Sequence, residues 1–241
     1  MTATEAAAQM LTRPDDFFKS YPVMVAGATT GQWFPNAVNV KTFHLAKKGD
    51  GSTGQGRGSD TKEGHYGATR KGRIGQTLNI SSFKLEEFTQ PNCSGPLTTH
   101  GVPMVNYNSH RDGNVNLNAN IAAMDYYQVD GGAQYMTTGL LTGCSFAWNT
   151  IPNGLRCIHI RPEGIDASLL RDNLAAIGRF GLAPHDPLQA FGRQDYEGAP
   201  YAVVIGVKHA GAWRLYAQTS TDVFKTIRGA WRIHPGPKTP L

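Results

Sequence analysis

Short runs of strand-forming residues recur from residue 74 to the end of the chain, and turn residues separate them. The runs include TLNISSFKL, VPMVNYN, YYQVDGG, YMTTGLLTG and YAVVIGV. Gly, Asn, Asp and Pro lie between them, and each of these residues favours a turn for its own stereochemical reason. Many short strands separated in this way are typical of a largely antiparallel β domain. The sequence therefore predicts that sheets supply most of the core.

Two segments carry helical signals. Residues 165–180 place leucine and isoleucine side chains at helical spacing, and Gly181 follows as a stop signal. Residues 3–12 are rich in alanine and end before Pro14, which disfavours the helical conformation in the residue ahead of it. We expect residues 1–35 to be an N-terminal extension with a short helix. The remaining residues, 36–241, are expected to form a single domain.

Glycine and turn motifs predict the main loops. Seven glycines fall within residues 47–67, so the basic segment 46–73 is expected to be a long loop. Asp112-Gly113 predicts a hairpin turn, and residues 209–212 predict another. A further loop is expected at 183–200. Loops commonly carry binding function, so 46–73 and 183–200 are the segments expected to select a partner.

Composition and charge argue against several classes of protein. Hydrophobic residues make up 40% of the 241 residues, which is enough for a core without disulfide bonds. The three cysteines form no CxxC pair, and no metal or organic cofactor is expected. The net charge of +5 falls partly in the glycine-rich loop, but no aromatic run accompanies it, so nucleic acid is not the expected partner.

Targeting signals are not evident in the sequence. No stretch approaches the ~20 apolar residues of a membrane span. The first residues, MTATEAAAQMLTRPDDFF, have no basic region ahead of their apolar part, so they do not resemble a Sec-type signal peptide. We expect a soluble monomer that does not span a membrane.

Cys144 and His159 are the candidate nucleophile and base. Residues 155–162 alternate in strand fashion, so His159 projects away from the isoleucine face of its strand. A cysteine nucleophile needs a base within hydrogen-bonding reach, and the base needs a group that orients it. Thr138 can offer its hydroxyl or its carbonyl for that purpose. Cys157 is a rival nucleophile, but its i, i+2 spacing from the histidine favours a packing role.

The residues around Cys144 resemble the cysteine-dependent glutamine deamidase toxins, the family of the cytotoxic necrotizing factors and Burkholderia lethal factor. Leu141-Thr142-Gly143-Cys144 is similar to their Leu-Ser-Gly-Cys motif, with Thr142 in place of serine. Thr138, six positions before the cysteine, and His159, fifteen positions after it, match family spacings. The specific match covers residues 137–162, and a diffuse β-rich similarity extends to about 225.

The resemblance implies an α+β fold, a β-sandwich of mixed sheets with a few peripheral helices. It also implies a protein-glutamine deamidase in which Cys144, His159 and Thr138 are catalytic. The partner would be a host protein that carries the substrate glutamine, such as a translation-factor helicase or a small GTPase. Such a bacterial toxin or effector would leave its cell without a Sec signal and act in the host cytoplasm.

The expected mechanism needs a reactive thiolate and an oxyanion site. We expect an ion pair between the Cys144 thiolate and the His159 imidazolium, since a neighbouring cation lowers a thiol pKa. Gly143 lacks a Cβ, so it permits a sharp turn, and backbone N–H groups at Gly143 and Cys144 are candidate oxyanion donors. Thr142 and Trp148, the latter expected in a loop beyond the nucleophile, are candidates for the pocket wall.

Other functions remain open at the level of sequence. The same thioester chemistry serves a transglutaminase, in which an amine replaces water, or a cysteine protease, in which a peptide bond is the substrate. A non-enzymatic β-rich binding module with Cys144 in its core is a further alternative, because free cysteine is among the most buried residue types.

Overall fold

The described part of the chain consists mostly of strands. The computed structural model describes residues 1–25, 39–49, 68–71, 77–86, 89, 91–102, 104–108, 127–129, 132–152, 154–163, 189–220 and 227–241. The helices there are α1 (Ala3–Thr12) and α2 (Pro14–Ser20). The strands are β1 (Val23–Val25), β2 (Asn39–Gly49), β3 (Ala68–Lys71), β4 (Thr77–Ile80), β5 (Ser82–Glu86), β6 (Leu97–Val102), β7 (Met104–Asn108), β8 (Tyr127–Val129), β9 (Tyr135–Thr138), β10 (Ser145–Ile151), β11 (Gly154–Glu163), β12 (Gln189–Phe191), β13 (Tyr201–His209), β14 (Ala212–Ser220), β15 (Ile227–His234) and β16 (Thr239–Pro240). The predicted β-rich α+β class is confirmed.

The described strands form two main sheets and a small ribbon. The large sheet has nine strands in the order β1-β5-β2-β6-β9-β13-β14-β15-β16. The smaller sheet has the order β12-β10-β11-β7, with β8 also paired to β11, and β3 pairs with β4 in the ribbon. Both main sheets are mixed, because β1–β5 and β6–β9 in the large sheet and β7–β11 in the smaller one pair in parallel.

Two hydrophobic clusters place the helices and sheets in three layers. Phe17 and Phe18 of α2 pack with Val203 and Ile205 on one face of the large sheet. The other face packs on the smaller sheet through a cluster that includes Phe146 and residues of β13, β14 and β11. Alternate residues of β13 thus enter opposite clusters, as the period of two in a strand requires. The large sheet is therefore buried on both sides.

The N-terminal segment belongs to this packing. Thr2 and Glu5 form a capping box at the start of α1, which satisfies amides that a helix leaves unpaired. Gln218 in β14 accepts a hydrogen bond from Val23 N at 2.8 Å and donates to the carbonyls of Phe18 and Tyr21, both at 2.7 Å. Residues 1–25 are therefore anchored to the large sheet by a buried amide.

The local structure agrees with the sequence at residues 3–12 and 209–212 and differs from it at 46–73. The helix at residues 3–12 is confirmed, and the hairpin at 209–212 is confirmed between β13 and β14. The predicted loop 46–73 is wrong at both ends, because β2 continues to Gly49 and β3 occupies Ala68–Lys71. The predicted helix 165–180 and the turn at Asp112-Gly113 lie outside the described residues. Within the described residues, no helix has the length and apolar character to cross a membrane.

Candidate active site

The β10–β11 hairpin sets the distance between Cys144 and His159. Cys144 immediately precedes β10, and Phe146 pairs with His159 across the hairpin. Since side chains alternate along a strand, Cys144 lies on the same face as Phe146 and His159, one diagonal step away. Diagonal neighbours are roughly 7–8 Å apart at the backbone, within reach of long side chains. The connection between the two strands is short, because β10 continues to Ile151 and β11 begins at Gly154.

Thr138 contacts His159 from the opposite sheet. The Thr138 Oγ1 lies 2.8 Å from the His159 Nδ1, and both residues are fully buried. The same hydroxyl donates its proton to the carbonyl of Val102 at 3.1 Å. A hydroxyl has one proton, so it accepts from the imidazole, and Nδ1 carries the hydrogen. The neutral ring therefore has its lone pair on Nε2, the atom that a general base uses.

Burial keeps the His159 imidazole neutral. Desolvation lowers the pKa of His159 to about 3. Its Nε2 has no hydrogen-bond partner among the described residues, Cys144 included. The side chain therefore presents an oriented and unprotonated base at neutral pH. The same burial makes this imidazole a weaker base than an exposed histidine, although its Nε2 is unprotonated at neutral pH.

Cys144 is also buried and neutral in this arrangement. Its side chain belongs to the cluster between the sheets, and the residue is 5% exposed. Burial raises the pKa of the Cys144 thiol, while a hydrogen bond from the Thr142 backbone and the positive charge of Arg161 oppose that effect. The expected thiolate–imidazolium ion pair is corrected accordingly, because desolvation disfavours the charged form of both groups. The resting pair is a thiol and a neutral imidazole.

Gly143 forms the predicted sharp turn, but its amide is already used. Its φ is +138°, a conformation that side-chain-bearing residues rarely adopt. The Gly143 N–H donates to the Tyr196 hydroxyl at 2.9 Å, and that hydroxyl donates to the Cys144 carbonyl at 2.9 Å. The assignment of the Gly143 N–H as an oxyanion donor is therefore corrected, while the turn is as predicted.

The other predicted residues occupy different environments. Thr142 is exposed at the turn. Trp148 does not lie in a loop as predicted; it is in β10, paired with Cys157, and is 3% exposed. Trp148 lines a cleft of about 480 Å³ that also includes Phe191 and Lys238. Cys157 is fully buried, and burial raises the pKa of its thiol, in keeping with a packing role.

Val102 and Tyr196 contact the site, but sequence reasoning did not identify them. Val102 acts through its carbonyl, which any residue could supply, so no side-chain signal exists. Tyr196 ends a 3₁₀ turn, Arg193–Tyr196, within the predicted loop 183–200. Among the described residues, no cluster of three or more His, Cys, Asp or Glu side chains could hold a metal ion.

Comparisons with known proteins do not place the chain in a family. No protein-family model matches the sequence, and no curated protein matches it significantly.

Proposed function

We propose that this chain is a cysteine-dependent protein-glutamine deamidase, with Cys144 as nucleophile, His159 as base and Thr138 as the group that orients the base. The observation that carries the proposal is the hydrogen bond from His159 Nδ1 to a threonine hydroxyl that is itself committed to the Val102 carbonyl. A buried imidazole held in one tautomer is what nucleophilic catalysis requires of its base. The motif resemblance over residues 137–162 supports glutamine as the substrate.

The neutral resting pair supports general-base attack. His159 Nε2 takes the thiol proton as the Cys144 sulfur bonds to the carboxamide carbon of glutamine. When the tetrahedral intermediate collapses, His159 returns that proton to the departing nitrogen and ammonia leaves, so a γ-glutamyl thioester remains. Water then attacks the thioester with the same base, giving glutamate and the free thiol. The net reaction consumes one water and releases one ammonia for each glutamine converted.

Two features of the turn support this route. The Thr142 backbone hydrogen bond to the sulfur stabilises negative charge there as the proton leaves. With the Gly143 amide bound to Tyr196, we assign the Cys144 N–H as the oxyanion donor of the turn. The sulfur makes no hydrogen bond with His159 Nε2 in this structure, so the two groups must come closer when substrate binds. Catalytic hydrogen bonds are commonly longer in the free enzyme than in the substrate complex.

The biological setting of the proposal depends on the resemblance alone. A host protein bearing the substrate glutamine would be the partner, as in a bacterial toxin or effector acting in the host cytoplasm. Conversion of the carboxamide removes a hydrogen-bond donor and adds a negative charge. Such a change disables a glutamine whose amide donates a hydrogen bond in the target.

The proposal is tested by incubating the protein with an extract of candidate target cells. A mass increase of about 1 Da at one glutamine, with ammonia released and no new peptide terminus, is expected. Incorporation of an added primary amine would assign the chain to transglutaminases, and a new terminus would assign it to proteases. If Cys144→Ser retained the activity, the nucleophile assignment would be wrong.

A non-enzymatic binding module is the second candidate, and the burial of Cys144 favours it. A thiol that is 5% exposed and packed between two sheets is also what a core cysteine looks like. Labelling with iodoacetamide separates the two candidates. Modification of Cys144 in the folded protein, faster than that of Cys157, supports the enzyme; equal protection of both cysteines supports the binding module.

A further inference from the structure

Tyr196 closes the turn that carries the proposed nucleophile. Its hydroxyl accepts from the Gly143 N–H and donates to the Cys144 carbonyl, each at 2.9 Å. One hydroxyl thus satisfies two backbone groups, the N–H at the start of the Gly143–Cys144 dipeptide and the C=O at its end. The turn has φ +138° at Gly143, a conformation that glycine adopts readily and other residues rarely do.

The Tyr196 ring is held by contacts independent of the hydroxyl. It stacks on Phe191 with ring centroids 5.8 Å apart and planes 22° apart. The Arg193 guanidinium lies 5.2 Å from the ring centroid and donates to the Ala199 carbonyl at 2.7 Å. The Tyr196 ring therefore has packing contacts of its own besides the two hydrogen bonds of its hydroxyl.

The 3₁₀ turn beneath the ring is anchored at its acidic residue. Asp195 accepts from the Gly192 N–H at 2.9 Å and from the Lys238 ammonium at 2.7 Å. Lys238 comes from the C-terminal segment, and its ammonium also lies 6.0 Å from the Phe191 ring centroid. The C-terminal segment and the 3₁₀ turn thus form one support for Tyr196.

We propose that Tyr196 is a positioning residue, whose hydroxyl fixes the Gly143–Cys144 turn so that the Cys144 sulfur and its own N–H meet the reacting carbonyl together. This inference rests on the proposed function for its purpose and on the two hydrogen bonds for its geometry. Misplacement of a nucleophile by about 1 Å costs on the order of 10²-fold in rate. A residue that sets the turn therefore affects the chemical step more than the affinity for substrate.

Tyr196→Phe tests the inference because it removes the hydroxyl and keeps the ring. Tyr135→Phe is the matched control, since Tyr135 is equally buried and its hydroxyl donates to the Ala7 carbonyl, in the cluster on the other face of the large sheet. The probe is p-nitrophenyl acetate, whose acetyl group transfers to the sulfur as p-nitrophenolate leaves. Acetylation of the Cys144 peptide is followed by mass spectrometry.

In Tyr196→Phe, the saturating acetylation rate of Cys144 is expected to fall about 10- to 100-fold, with the half-saturating ester concentration within about threefold. Hydrogen exchange at Gly143 is expected to accelerate, and Tyr135→Phe is expected to acetylate within about twofold of the unmodified chain. A structural role alone would lower the melting temperature of both variants without this difference in rate.

The outcomes separate this inference from the proposed function. A slowed acetylation in Tyr196→Phe, combined with no deamidation of any glutamine, supports the positioning role and overturns the deamidase. Equal acetylation rates in Tyr196→Phe and the unmodified chain overturn the positioning role even if glutamine is deamidated. If Cys144 of the unmodified chain is acetylated no faster than Cys157, its thiol has no enhanced reactivity for Tyr196 to promote. The inference is then overturned.

Discussion

Thr138 and His159 belong to different sheets, yet the threonine Oγ1 lies 2.8 Å from the imidazole Nδ1. Thr138 ends β9 of the large sheet, while His159 lies within β11 of the smaller one. The hydrogen bond therefore exists only when the two sheets are packed together. Orientation of the proposed base is a property of the tertiary structure and is not encoded by the β10–β11 hairpin alone.

The first prediction concerns the orienting hydroxyl. Thr138→Val keeps the shape of the side chain but leaves the His159 Nδ1–H without its acceptor. We expect the free energy of unfolding to fall by about 1–3 kcal/mol, the cost of an unsatisfied buried group. Glutamine turnover is expected to fall about 10- to 100-fold because the tautomer and orientation of the base are no longer fixed. Denaturant unfolding and ammonia release measure the two effects.

Thr137→Val is the matched control for that substitution. Thr137 is also fully buried in β9, but its hydroxyl makes a long contact of 3.5 Å to the Thr138 carbonyl. Turnover in Thr137→Val is expected to stay within about twofold of the unmodified chain. Equal losses of turnover in the two variants would contradict a specific role for Thr138.

The second prediction concerns the charge state of the nucleophile. Burial raises the pKa of Cys144, so the thiolate fraction is small at neutral pH. The rate of alkylation by iodoacetamide at Cys144 is expected to rise about tenfold per pH unit from pH 6 to 8, without a plateau. Mass spectrometry of the Cys144 peptide gives the rate. A plateau between pH 5 and 8 would restore the ion pair in place of the neutral dyad.

The third prediction follows from the buried imidazole. The pKa of His159 is about 3 in the folded chain and about 6.5 when unfolded. As pH falls below 6.5, His159 becomes protonated in the unfolded state but stays neutral in the folded state. The free energy of unfolding therefore decreases. Between pH 6.0 and 4.5, unfolding free energy is expected to fall about 1–2 kcal/mol more in the unmodified chain than in His159→Gln. Parallel curves in urea titrations would show that His159 is not buried as a neutral base.

The fourth prediction concerns the glycine turn. A Cβ at Gly143 meets no atom within 4 Å, so the cost of Gly143→Ala comes from its φ of +138° alone. We expect a loss of about 1–3 kcal/mol in stability, the range for such backbone strain. Gly95 also has open space around a Cβ and lacks a left-handed φ, so Gly95→Ala is the control. If the melting curves of the two variants coincided, the positive φ of Gly143 would not be a source of strain in Gly143→Ala.

Sequence patterns predicted the part of the site that is local. Alternation over residues 155–162 placed His159 on the correct face of its strand, and the contact with Thr138 was anticipated from its spacing in the motif. The β10–β11 turn was harder to place, because polar and turn-forming residues begin at Asn149 while the strand continues to Ile151. Trp148 was assigned to a loop for the same reason, and pairing with β11 extends the strand past it.

Tyr196 could not be predicted because its role depends on contacts distant in sequence. Its partners Gly143 and Cys144 are more than fifty positions earlier, and its own segment, RQDYEG, has neither helical nor strand periodicity. The burial that corrected the ion pair is likewise a tertiary property. A cysteine and a histidine in sequence carry their ordinary pKa values, and only the packing of two sheets shifts them in opposite directions.

The placement of Thr138 has a consequence for the order of folding. The β10–β11 hairpin forms from local contacts, whereas the pairing of β9 with β13 joins residues about seventy positions apart. During folding, Cys144 and His159 would therefore lie on one hairpin before the Thr138 hydroxyl reaches the imidazole. In a partly assembled species His159 would lack its Thr138 acceptor, so neither the tautomer nor the orientation of the proposed base would be fixed.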